Sequence, residues 1–346
     1  MEFSRMEGDG TSPAEVRSYV RSVLPEKYFR ATPWLILFPI INALVLVGML
    51  YLAGMTESWW VKLGCALVIG HQMFAIGNFS HYLSHRSIVQ NKYVCYAFEL
   101  VFWGMVGSAA TVWARAHNFY HHRYTNGKHD TFRAFSTSEA NEKRKFIRKF
   151  FAPNKEMKYS PLSLLTYYLT HSAYFSGLMN GKHGDVSDVV PYVPDFNKRQ
   201  RSRIFLEMAV MVSIQVMYLW ILDFSLLTYL MIYVVGSVTA SGIASIYLFT
   251  QHSLFPLGEE NDPIRNSASL YVPLPFDILH MYVSRHVEHH YFPGMSPLYL
   301  RHVTRVLEQT WPHLYTRTTF REVLPDIFDM PVFKQDPEPQ VQGELS

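Results

Sequence analysis

The sequence predicts an all-α integral membrane protein. It should have four transmembrane helices in two hairpins, one re-entrant or buried hydrophobic segment, and a cytosolic helical cap carrying histidine clusters. Three observations support this. Of the 346 residues, 49% are hydrophobic and only 17% charged, below the roughly 25% charged residues of a typical soluble domain. The apolar residues fall in runs of about twenty, enough for a helix to cross about 30 Å of hydrocarbon. The histidines cluster where those runs end.

Residues 1–30 carry mixed charge with little apolar pattern and read as a polar cytosolic lead-in, without a cleavable signal peptide. Residues 33–55 contain no charged side chain and form the first expected span. A short turn bearing Trp59 and Trp60, suited to an interfacial aromatic belt, leads into the second span at about 61–80. The apolar stretch 93–112 contains Glu99. If it crossed fully, the histidines on its two sides would lie on opposite membrane faces, so it is read as re-entrant or buried. Residues 113–203 are polar, and 162–179 have an amphipathic pattern suited to a membrane surface. Spans at 204–222 and 226–250 follow, joined by the turn Asp223-Phe224-Ser225. Residues 296–333 should form a soluble helical cap. The membrane domain as a whole is expected over 31–333, with a disordered Pro-, Gln- and Glu-rich tail at 334–346.

Orientation follows from charge. Residues 113–203 hold 16 Lys or Arg against 7 Asp or Glu, and neither tight turn between paired spans holds a Lys or Arg. By the positive-inside bias, both termini and the histidine clusters face the cytosol. Cys65 and Cys95 form no Cys-x-x-Cys pair, which excludes a disulfide framework and a thiolate cluster site. No internal repeat is present, and no nucleic-acid partner is expected.

Eight of the 16 histidines fall in three clusters: His81-x-x-x-His85, His117-x-x-x-His121-His122 and His286-x-x-His289-His290. Four-residue spacing puts His81 and His85 on one helical face. On an α-helix His117 and His121 also share a face, while His122 lies about 100° further round. One pocket would not easily take all three, but two adjacent metals could. His286, His289 and His290 span an arc of about 100°, with the last two on opposite flanks, so this segment is expected to bridge two metals. Imidazole is the commonest nitrogen ligand for transition metals. Apart from Glu288 the clusters contain no glutamate, which argues against the carboxylate di-iron site of four-helix bundles. His71 lies about 15 Å along the second span from His81 and should have a hydrogen-bond partner. His129, His171, His183, His280, His302 and His313 read as surface or packing residues.

The clusters, in this order and position relative to two hairpins, resemble the histidine boxes of the membrane-bound fatty acid desaturases. His121-His122-Arg123-Tyr124-Thr125-Asn126, followed by Asp130, is similar to that family's continuation of its second box. His289-His290-Tyr291-Phe292-Pro293 is similar to the ending of its third. Thr250-Gln251-His252 stands where the family tends to have one further ligand. The resemblance covers roughly 33–310, and the box spacings lean towards the acyl-lipid members. It implies a non-haem centre of two Fe ions held by His81, His85, His117, His121, His122, His252, His286, His289 and His290. O2 would be the co-substrate, and a double bond would form in an acyl chain carried on lipid, coenzyme A or a carrier protein. An apolar tunnel between the spans would hold the chain, its depth choosing the carbon attacked. Glu288, Asp130 and Asn126 are the expected partners orienting the rings.

No haem-binding domain is expected at either end. Electrons would therefore come from a separate donor such as ferredoxin, or cytochrome b5 with its reductase. Basic residues including Lys143, Arg144, Lys145, Lys198, Arg199 and Arg201 could dock that donor or touch anionic lipid. The first box departs from the family: it reads Tyr82-Leu83-Ser84 inside, where an acidic residue is common, leaving substrate and ring orientation open. The rival readings are a di-iron hydroxylase of acyl chains, alkanes or carotenoids, and a membrane zinc hydrolase or receptor. Zinc sites rarely need so many histidines. A metal transporter would carry its ligands inside the spans.

Overall fold

The computed structural model describes residues 11–133, 135, 136, 138, 192, 194–258, 261–330 and 333–335. The stretch 162–179, the basic run 143–145 and the tail beyond 335 lie outside the described residues.

Among the described residues four helices are long and apolar enough to cross a membrane: Glu26–Met55, Trp59–Ser84, Lys198–Ile221 and Leu226–Ser253. In the first, a 3-10 turn at Pro33–Ile36 leads into α2 (Leu37–Met55). The others are α3 (Trp59–Ser84), α6 (Lys198–Ile221) and α7 (Leu226–Ser253). Their outward faces need lipid. In α6 only Ile204, Glu207 and Tyr218 are buried, and Phe205, Val212, Val216 and Trp220 are exposed. A water-facing helix would carry polar groups on that side. The protein is thus a helical membrane protein, as its sequence predicts.

Helix α3 is the central helix, packed against α2 and α7. The approach to α7 is close because Gly70 has no side chain: a Cβ there would lie 2.5 Å from Thr239 Cβ and 2.6 Å from the Gly236 carbonyl oxygen. The expected re-entrant segment is α4 (Lys92–Met105) followed by α5 (Ala110–Tyr124), bent by 103°. Gly107, with φ at +79°, lies in the corner.

The N-terminal segment differs from a plain polar lead-in. It contains α1 (Pro13–Val23), closed at its start by a reciprocal capping box between Ser12 and Glu15. Val16 and Val20 on α1 are fully buried, each contributing about 1.5–3 kcal/mol by the usual transfer scale. Tyr19 stands edge-on to Trp311 at 5.4 Å, and the Arg21 guanidinium covers Phe29 at 4.9 Å. The sequence signal for this docking was the Val16/Val20 pair at i, i+4.

The cap follows α7. It comprises α8 (Pro263–Asn266), α9 (Leu274–Leu279), α10 (His286–Tyr291), α11 (Leu300–Thr310) and α12 (Phe320–Asp329). Strand β2 (Ser269–Tyr271) pairs in parallel with β3 (Arg317–Thr319), Leu270 opposite Thr318. A second parallel pair joins β1 (Phe135–Ser136) to β4 (Phe333–Lys334).

Candidate metal centre

The first histidine segment is the last turn of α3. His81 is helical, and His85 is the C-cap residue. The helix stops because Arg86 takes a left-handed backbone (φ 58°) and Ser87 donates to the Tyr82 carbonyl at 2.9 Å. The second segment lies in α5, where Ala114–His121 wind as a π-helix. The His122 amide reaches back to the His117 carbonyl, five residues away. This wider turn stacks residues five apart, and it changes the pairing expected from α geometry. His117 and His122 stand together, their Nε2 atoms 3.1 Å apart. His121 falls on the other side. A second π segment, Phe249–Ser253, ends α7 and presents His252. The third histidine segment is α10.

All nine predicted histidines come together, in two groups. His81, His85, His117, His122 and His289 form one; His121, His252, His286 and His290 form the other. Within each group the ligand-capable atoms lie within 4.8 Å of one another. The groups abut, with the His122 and His290 rings stacked at 4.3 Å. Helix α10 serves both, as its sequence angles suggest.

The spacing fits metal coordination. Two nitrogens bound at right angles to one metal, each at about 2.1 Å, stand about 3 Å apart. The Nε2 atoms of His81 and His289 are 2.8 Å apart, those of His286 and His290 3.0 Å, and those of His252 and His286 2.5 Å. The buried Nε2 atoms of His85 and His121 have no hydrogen-bond partner among the described residues, a costly arrangement unless something else takes their lone pairs. Burial and the neighbouring imidazoles hold His286, His289 and His290 well below the ordinary histidine range, and push His85 down to about 3. The rings are therefore neutral at physiological pH, the form that binds metal.

One carboxylate orients a ring. His121 Nδ1 donates to Asp130 at 3.0 Å, leaving Nε2 free for a metal. Asp130 is itself held by the amides of Asn126 and Phe132, each at 2.8 Å. The other two expected orienting partners act differently. Asn126 donates to the carbonyls of His252 and Asn266, tying loops rather than a ring. Buried Glu288 accepts from Ser269 and Tyr315, both at 2.6 Å, and from Thr304, so it anchors α10 to the cap.

A cavity of about 220 Å³ runs between α3, the α4–α5 corner and α7. Met73, Phe74, Val112, Ala240 and Ala244 line it, and His81, His117, His121 and His286 stand at its wall. His71 has the hydrogen-bonding neighbours its position demands, Gln72 and His280, each at 3.3 Å. His280, read from sequence as a surface or packing residue, also pairs with the cavity-lining Tyr247 at 2.9 Å.

Residues 57–321, most of the chain, match the family model of the fatty acid desaturases. The chain belongs to the fatty acid desaturase family. No curated protein matches it. As a desaturase-family protein with histidine groups able to hold metal, it is an oxidoreductase of the desaturase or hydroxylase type. Its family acts on acyl substrates, and its histidine groups suit an iron-type metal site. Sequence reasoning passed over one further residue, Glu207. Its signal was there to read: it is the only charged residue between 204 and 222.

Proposed function

We propose that this protein is an O2-dependent desaturase that introduces a double bond into a fatty acyl chain. One iron would be held by His81, His85, His117, His122 and His289, and the other by His121, His252, His286 and His290. The observation that carries this reading is the junction of the two imidazole groups with an apolar cavity. The bound irons would supply, with O2, the oxidising power to take hydrogen from an unactivated methylene. In balance, two adjacent methylenes lose one hydrogen each. O2 takes these two hydrogens with two donated electrons and two protons, and leaves as two waters.

The chain's own residues do the rest. Neutral imidazoles hold the metals, and Asp130 keeps His121 in one tautomer and orientation. The cavity wall holds the acyl tail away from water and against the histidines. Electrons would come from a separate donor protein; exposed Lys198, Arg199 and Arg201 at the start of α6 offer it a basic face. The charge distribution supports a cytosolic location for both termini and the centre. Tags on either terminus are expected to be labelled only after the membrane is opened, and labelling of intact cells from outside would reverse this orientation.

The test of the reaction is expression in a host of defined lipid profile with mass spectrometry of its acyl chains. The expected product lacks two hydrogens. A product that gains one oxygen instead would assign hydroxylation to the same centre.

A further inference from the structure

The α4–α5 corner breaks a helix within an apolar part of the molecule. Such a break leaves the first amides of α5 and the last carbonyls of α4 without helical partners, and lipid offers none. The residue before α5, Ala109, has no side chain able to cap it. The cap comes from another helix. Glu207 on α6, only 2% exposed, accepts from the Thr111 amide through Oε2 at 2.9 Å and from the Thr111 hydroxyl through Oε1 at 2.6 Å. Eight positions along α6, Gln215 Nε2 donates to the Gly104 carbonyl at 3.3 Å, on the α4 side of the same corner. The helices touch closely there: a Cβ on Gly104 would lie 2.8 Å from Ile214 Cδ1. Helix α6 therefore braces both arms of the bend, although it carries no histidine.

We propose that Glu207 is a positioning residue for the metal centre. Its carboxylate fixes where α5 begins and thereby where His117, His121 and His122 stand, six to eleven residues further on. A buried carboxylate in a membrane helix is costly, and here it answers the two donors of Thr111. The inference rests on those histidines binding iron, so its test includes a reading that does not depend on metal.

Three variants of the full chain, purified in detergent, decide it: Glu207→Gln, Glu207→Leu and Thr111→Val. Amide hydrogen exchange over 109–122 is the metal-independent reading, and iron content with the Mössbauer signature is the metal-dependent one. Glutamine can still accept from the amide and donate to the hydroxyl. It should keep exchange, iron content and spectrum within about twofold of the parent. Leucine should speed exchange in this segment about tenfold or more and lower iron affinity about tenfold or more, the scale seen when groups behind a ligand are lost. Should the leucine variant fail to fold, Thr111→Val removes only the hydroxyl bond. It should still speed exchange, and unchanged exchange in that variant would then overturn the proposal. A folded leucine variant with parental exchange and iron spectrum would also overturn it. Parental protein that binds no iron while leucine still loosens 109–122 would instead count against the metal reading.

Discussion

Alanine in place of His121 should abolish product formation while leaving the chain folded and in the membrane. His121 is fully buried, its Nδ1 is committed to Asp130, and its Nε2 faces His252, His286 and His290 with no other partner among the described residues. Alanine removes one of only four imidazoles in that group and leaves a buried carboxylate facing a void. Asp130→Asn is the graded comparison. The side chain keeps its shape but no longer forces the proton onto Nδ1, and metal affinity should fall about 10- to 100-fold. The measurements are acyl product by mass spectrometry and iron per chain. Undiminished product from the His121→Ala protein would remove it from the ligand set and break the four-histidine group.

Filling the cavity should separate substrate from metal. Ala244 on α7 lines the cavity beside Phe74 and Tyr247, so Ala244→Phe would place a ring where the acyl chain is proposed to lie. Turnover on the preferred chain should fall about 100-fold, the cost of displacing a substrate from its reactive position. Iron content should stay near the parent's, because no histidine moves. Normal turnover on that chain with the ring in place would show that the acyl tail lies elsewhere.

Much of this protein could be read from its sequence because lipid and metal impose strict patterns. A helix crossing hydrocarbon needs a long unbroken apolar run, so α2, α3, α6 and α7 fall where the runs are. The eight imidazoles of the three clusters declared themselves by spacing, since three dense clusters have no packing purpose, whereas His252 rested on the family resemblance alone. The bend between α4 and α5 followed from asking which membrane face each cluster must share.

Contacts set by tertiary packing were not legible. The pairing of His122 with His117 depends on π winding, which leaves no mark on a spacing that suits an α-helix equally well. Glu288 sits inside the third box like a ring-orienting acid. Only the fold reveals that Ser269, Thr304 and Tyr315 claim it. The role of His280 required knowing that α9 returns it to α3, beside His71 and Tyr247.

The π segment of α5 also limits how this part of the gene can change. A π turn is an α-helix carrying one surplus residue. Loss of one residue between 118 and 120 would let ordinary winding resume and leave His117 and His122 four apart, the spacing that stacks side chains on an α-helix. One added residue would instead set them six apart, turned from each other by about 120° on an α-helix. Length in this stretch is therefore constrained in one direction: it can shrink by the surplus residue, whereas an insertion, tolerable in a surface loop, would part the pair.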